Sequence, residues 1–245
     1  MTISDIIFAP INIIKSIYAF FWRIFFQKMP LDEFDDYEHY WNKRKNLPLK
    51  YRYKYIASQL PDKGRVLDVG CGDGTFLRYL KTQKPELEIM GIDISESTIS
   101  KLKEDGIEGI VCDLDLAEKK LFPNCQADYV VVMELIEHLP NPEVLMKNLR
   151  QLQAQCYYVT IPNLGFIENR LRLALGGKMP ITRIIFHIKE HLRFWTVSDF
   201  KYWANHVGYR VVNYHGQNGT WFLWRIWPAL FAKQMIYLME ADNNK

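Results

Sequence analysis

The sequence predicts an α/β fold, in which a parallel β-sheet is covered by helices on both faces and preceded by an amphipathic helical extension. From Arg65 onward, short β-branched apolar runs alternate with segments of helical spacing, the pattern that a parallel sheet with crossover helices imposes. The first of these runs ends in the glycine-rich turn Gly70-Cys71-Gly72-Asp73-Gly74. With 245 residues, 49% hydrophobic and 24% charged, the chain can bury a core as one domain with additions. That composition excludes a disordered tail or a fibrous repeat.

Residues 6–26 are mostly apolar and aromatic, Lys15 and Arg23 interrupt them, and no small-residue cleavage site marks a secretory signal. On a helical wheel Asn12, Ser16, Arg23 and Gln27 form one narrow polar stripe with Lys15 beside it. Such a helix suits peripheral contact with a membrane interface through residues 6–28, with Trp22 and the basic residues near the head groups. Docking on the body of the protein is the alternative. An acidic run at 32–38 follows. Then come Lys43, Arg44, Lys45, Lys50, Arg52 and Lys54, interleaved with Tyr40, Trp41, Tyr51, Tyr53 and Tyr55. Residues 1–58 therefore read as extension and linker, and 59–245 as the main domain. Basic and aromatic residues together can bind phosphates and stack bases, although a solvated helix face is the plainer reading. A net charge of only +3 argues against a nucleic-acid partner.

Within the main domain RVLDVG, EIMGIDIS, IEGIVCDL, ADYVVVME and CYYVTIP read as strands, TFLRYLKTQ and ESTISKLKEDG as helices, and YRVVNYHG and QMIYLME as two late strands. Ligands are then expected at the C-terminal strand ends. Residues 162–195 form a long insertion expected to roof an acceptor pocket, where Arg170, Arg172, Lys178, Arg183 and Lys189 either favour an anionic acceptor or form a solvent face. The aromatic segment Trp221–Trp227 is expected to pack with the N-terminal helix or to enter a membrane interface. Cys71, Cys112, Cys125 and Cys156 lack Cys-x-x-Cys spacing, which points to reduced thiols in a cytoplasmic protein without structural zinc.

The glycine turn permits close backbone approach to a ligand. A dinucleotide fingerprint would place its third glycine at position 75, which is Thr75. Asp93, ending the second strand, can accept both hydroxyls of a ribose, and Asp113, closing the third, can accept from an adenine amino group. Together they imply a nucleoside without phosphates.

VLDVGCGDGTFL, GIDIS, VCDLD and YVVVMELIEHL together resemble the class I S-adenosylmethionine-dependent methyltransferases, over roughly residues 60–240. The resemblance implies a Rossmann-like seven-stranded sheet of order 3-2-1-4-5-7-6 with the seventh strand antiparallel, and S-adenosyl-L-methionine as cofactor. It assigns Asp68, Gly70, Cys71, Gly72 and Gly74 to the methionine end, Asp93 to the ribose with Ile94 beside it, Asp113 and Leu114 to the adenine, and Met133 to the fourth strand end. A narrower similarity to the MetW-like branch lies in residues 159–182 and in WPALFAKQMIYLME.

That branch lacks Glu134-Leu135-Ile136-Glu137-His138, so its link to methionine biosynthesis is not carried over. The segment is similar instead to the Glu-x-x-Glu-His motif of ubiquinone-pathway O-methyltransferases and small-RNA 3′-terminal 2′-O-methyltransferases, the latter implying His191 as a fourth metal ligand. Residues 134, 137 and 138 share one face if the chain turns helical there. Their oxygen and nitrogen donors suit Mg²⁺, Mn²⁺ or Fe²⁺, and such an ion would lower the pKa of a bound hydroxyl. The metal-free alternative leaves Glu137 touching the cofactor and His138 or His191 as general base. His187 is a weaker candidate, while His39, His206 and His215 read as surface or packing residues. The expected function is O-methylation of a small-molecule, sugar or lipid-linked acceptor near a membrane. RNA 2′-O-methylation and non-catalytic regulation of a second enzyme are the alternatives.

Overall fold

The structure, a computed structural model, describes residues 3–29, 31, 48–115, 122, 125–181, 190–219 and 222–242, without the side chains of residues 3–13. Seven strands, β1 (Gly64–Val69), β2 (Leu87–Asp93), β3 (Glu108–Val111), β4 (Tyr129–Met133), β5 (Cys156–Pro162), β6 (Tyr209–Gln217) and β7 (Gln234–Ala241), form one sheet in the order β3-β2-β1-β4-β5-β7-β6. The first five are parallel, and β7 runs antiparallel to both β5 and β6. This is the order that the methyltransferase resemblance implied. β3 is shorter than the run read from the sequence, because Asp113 accepts from the Asp115 backbone N–H at 2.9 Å and turns the chain away from the ladder.

Nine helices are described: α1 (Ile3–Phe25), α2 (Tyr51–Gln59), α3 (Thr75–Gln83), α4 (Glu96–Glu104), α5 (Pro142–Arg150), α6 (Ile167–Ala174), α7 (Val197–His206), α8 (Leu223–Ile226) and α9 (Pro228–Phe231). Alternate strand residues face opposite layers. Val66, Val131, Tyr158 and Ile236 pack with Tyr53 and Ile56 of α2 and Phe76 and Leu80 of α3. Their neighbours Leu67, Val130, Val132, Tyr157 and Tyr237 pack with Leu145 and Leu149 of α5 and Phe200 of α7. Thr196 and Asp199 form a reciprocal capping box that starts α7.

The extension is docked at one end. Arg23 donates from Nε and Nη2 to both oxygens of Glu168 on α6, at 2.7 and 2.6 Å. Arg172 donates to the carbonyls of Arg23 and Gln27, and Lys178 to that of Phe25. These contacts correct the reading of the insertion's basic residues. Arg172 and Lys178 satisfy the orphan carbonyls at the end of α1, and Arg170 holds the Gly165 carbonyl at 2.7 Å. A Cβ on Gly176 would lie 2.5 Å from the Ile24 carbonyl oxygen, so the two segments meet backbone to backbone.

Trp224 packs edge-on against Tyr51 and His215, joining α2 to β6 rather than to α1. No helix among the described residues is long and apolar enough to cross a membrane. The acidic run 32–38, His39, Tyr40, Trp41, Lys43, Arg44, Lys45, Arg183, His187, Lys189 and Trp221 lie outside the described residues.

Candidate active site

One cleft opens at the C-terminal ends of β1, β2 and β4. Gly70 has φ +72°, and a Cβ there would lie 2.9 Å from Leu135, so the turn needs glycine for both conformation and space. The Gly70 and Cys71 backbone N–H groups donate to the Ile92 carbonyl at 2.7 and 3.0 Å, tying the turn to β2. Asp93 is held by the Gly72 N–H at 2.8 Å and the Ser95 N–H at 3.1 Å. Gly70, Cys71, Gly72, Asp93, Ile94, Asp113, Leu114 and Met133 all line this cleft.

Asp68 and Gly74, expected beside them, do not line it. Gly74 is the N-cap of α3 at φ +74°, and its missing Cβ leaves room for Leu102. Asp68 is fully buried, and neither carboxylate oxygen has a hydrogen-bond partner among the described residues. Burial, and then the charge of Asp93, pushes its pKa up to about 8.

Sequence reading missed Arg52, Tyr53 and Gln234, which also line the cleft. Arg52 had been read within a solvated basic run, yet it is 4% exposed, and its Nε and Nη1 have no hydrogen-bond partner among the described residues. The signal was helical periodicity: Arg52, Tyr53, Ile56 and Ala57 form the buried face of α2. The guanidinium lies over the Tyr53 ring at 5.3 Å, and two unmet donors on the wall of a cleft suit an anionic ligand group.

Beyond β4 the chain does not become helical at once. Glu134 has φ +52°, and a single turn follows in which the His138 N–H reaches the Leu135 carbonyl at 2.9 Å. The expected shared face of residues 134, 137 and 138 is therefore not formed. The Glu134 carboxylate instead accepts from Thr160 Oγ1 at 3.0 Å and from Gln234 Nε2. Glu137, His138 and His191 do converge, with one ligand atom from each within 4.8 Å of the others.

Two backbone links bring His191 in. The Glu137 carbonyl accepts from Leu192 and Arg193 at 2.8 and 3.1 Å, and His138 Nδ1 faces the Glu190 carbonyl. The two imidazoles then meet edge to face, with ring centroids 4.7 Å apart. The Glu137 side chain is 1% exposed with no hydrogen-bond partner among the described residues. Burial and the neighbouring Glu134 raise its pKa well above the carboxylate range. Burial also lowers His138, and it lowers His191 to about 3. Both rings are neutral at pH 7.

Comparison with known proteins agrees with this architecture. The model of the family described as "Methionine biosynthesis protein MetW" matches residues 50–239. The chain is 30% identical over 205 residues to the ubiquinone biosynthesis O-methyltransferase of Coxiella burnetii, covering 77% of this chain and 85% of that protein. It is 30% identical over 182 residues to the small RNA 2′-O-methyltransferase of Schizosaccharomyces pombe, covering 66% of this chain and 48% of that one. The crystal structure of a TehB-like SAM-dependent methyltransferase from Corynebacterium glutamicum superposes with a TM-score of 0.57 at 17% identity, over 84% of this chain and 98% of the other. The glycine turn, the oriented Asp93 and the sheet order thus belong to an S-adenosyl-L-methionine-dependent methyltransferase, and the chain is a member of the MetW family.

Proposed function

We propose that the protein transfers the methyl group of S-adenosyl-L-methionine to a hydroxyl oxygen of a small or lipid-linked acceptor, beside Glu137, His138 and His191. The observation that carries this reading is a buried carboxylate flanked by two neutral imidazoles on the wall of the cofactor cleft. The name of the Coxiella burnetii relative, an O-methyltransferase, supports the same atom class.

The residues present fit the cofactor. Asp93 accepts from the ribose hydroxyls, and Asp113 and Leu114 flank the adenine. The amino-acid end lies along Gly70–Gly72, with its carboxylate on Arg52, whose Nε and Nη1 have no hydrogen-bond partner among the described residues. S-adenosyl-L-methionine, when bound, would supply a sulfonium-activated methyl group to an acceptor hydroxyl held next to His138, with S-adenosylhomocysteine as the leaving group. With Nδ1–H donated to the Glu190 carbonyl, His138 keeps its Nε2 lone pair for the proton that the hydroxyl loses. Because the sulfonium already activates the methyl, the protein contributes mainly alignment and exclusion of water.

Glu137, His138 and His191 also fit a divalent cation such as Mg²⁺ or Mn²⁺, since their ligand atoms converge and the buried Glu137 carboxyl, which has no hydrogen-bond partner among the described residues, would be ionised by such a charge. Such an ion, when bound, lowers the pKa of a nearby hydroxyl. A second reading, 2′-O-methylation of RNA, is favoured by the Schizosaccharomyces pombe relative. Transfer of radiolabelled methyl groups separates the two. The proposal expects label in organic-extractable or small-molecule fractions. Label in RNA alone establishes the second reading, and no transfer to any fraction by protein that binds cofactor overturns both.

A further inference from the structure

We infer that α1 is a membrane-docking surface that is anchored to the body through Arg23 and Ile24 and presents its aromatic face to an anionic lipid bilayer. An ordinary surface helix turns its large apolar residues toward the body. Here Arg23 is engaged by Glu168 and Ile24 is buried, whereas Tyr18, Phe21, Trp22 and Phe26 are 65%, 52%, 47% and 60% exposed. Tyr18, Trp22 and Phe26 form an i, i+4 ladder, with ring centroids 6.2 and 5.2 Å apart.

Two further observations select lipid as the occupant. The carbonyls of Arg23, Phe25 and Gln27 at the end of the helix are all capped by side chains of Arg172 and Lys178. Water would serve at an aqueous end, while a low-dielectric surface requires internal partners. Charge is the second. Lys15 and Lys28 are exposed, and residues 6–31 contain no acidic residue, a sign complementary to anionic head groups. Since α1 lacks the length and hydropathy to span, it lies in the interface, where Trp and Tyr are most favourable.

The inference holds whichever acceptor is methylated, and it is tested without turnover. Full-length protein is floated with phosphatidylcholine vesicles with and without about 30% phosphatidylglycerol. Expected are co-flotation that depends on phosphatidylglycerol, a blue shift of tryptophan emission, and binding at least about tenfold weaker for Phe21→Ser/Trp22→Ser, with an unchanged thermal shift on adding S-adenosyl-L-methionine. Failure to float with either vesicle overturns the inference, as does equal flotation of the double variant. A lipid-free dimer that this variant makes monomeric would also overturn it, by giving the face to a second copy of the chain.

Discussion

Asp68 shows how a single buried side chain makes stability depend on pH. In the folded, ligand-free protein its carboxyl holds a proton up to about pH 8, against an ordinary value of 3.8. The folded state therefore binds the extra proton between those values, and stability falls as pH rises through that window and levels off above it. Asp68→Asn removes the slope. The variant is expected to gain stability over the parent at pH 8, by about 1–3 kcal/mol in denaturant melts, and to show no such gain at pH 4. Arg52 acts in the opposite sense, as a buried cation with two unmet hydrogen-bond donors. Arg52→Ala is expected to weaken S-adenosyl-L-methionine binding by about 1.5–3 kcal/mol in calorimetry, with the fold unchanged. Glu137→Ala is expected to lower kcat by about a hundredfold or more while leaving cofactor affinity within a few-fold of the parent. At this scale the sequence was most legible where a strand end fixes a residue, as at Asp93 and Asp113. It was least legible where burial depends on another element: Arg52 reads as surface charge until α3 and the sheet cover it.

Among the elements, α1 and α6 are the least conventional pair. Periodicity identified the helix and its polar stripe, but the stripe could not say which side faced the body. That was decided by Glu168, Arg172 and Lys178, some 145 to 153 residues away in sequence. Gly176→Ala tests the contact directly, because its Cβ would meet the Ile24 carbonyl rather than a movable side chain. The variant is expected to detach the C-terminal end of α1, read as faster proteolysis around residues 23–31 with cofactor binding retained. The turn after β4 was misread for a similar reason. The i, i+3, i+4 spacing assumed a helix from Glu134, whereas Thr160 on β5 and Gln234 on β7 capture its carboxylate and hold the residue left-handed.

For the whole molecule the alternation of strands and helices was enough to fix the fold class, since β1, β2 and β4 are each short and followed by a helix with one buried apolar face. The 3-2-1-4-5-7-6 order was not derivable from periodicity and came through the glycine-turn resemblance. Because the cleft is assembled from the glycine turn, the Asp93 loop and α2 together, ligand binding reports on the entire body. S-adenosyl-L-methionine at about 100 times its Kd is expected to raise the unfolding free energy by about 2.7 kcal/mol, measurable as an upward shift in Tm that Arg52→Ala diminishes.

The position of β7 also governs assembly during synthesis. β6 has no partner in the sheet except β7, and β5 has an open edge until β7 occupies it. A nascent chain that has emerged only as far as Lys233 therefore carries an open β5 edge, a wholly unpaired β6 and a Glu134 still waiting for Gln234. Until the ribosome delivers β7, the chain is exposed to edge-to-edge association at β5, the edge that the finished sheet covers.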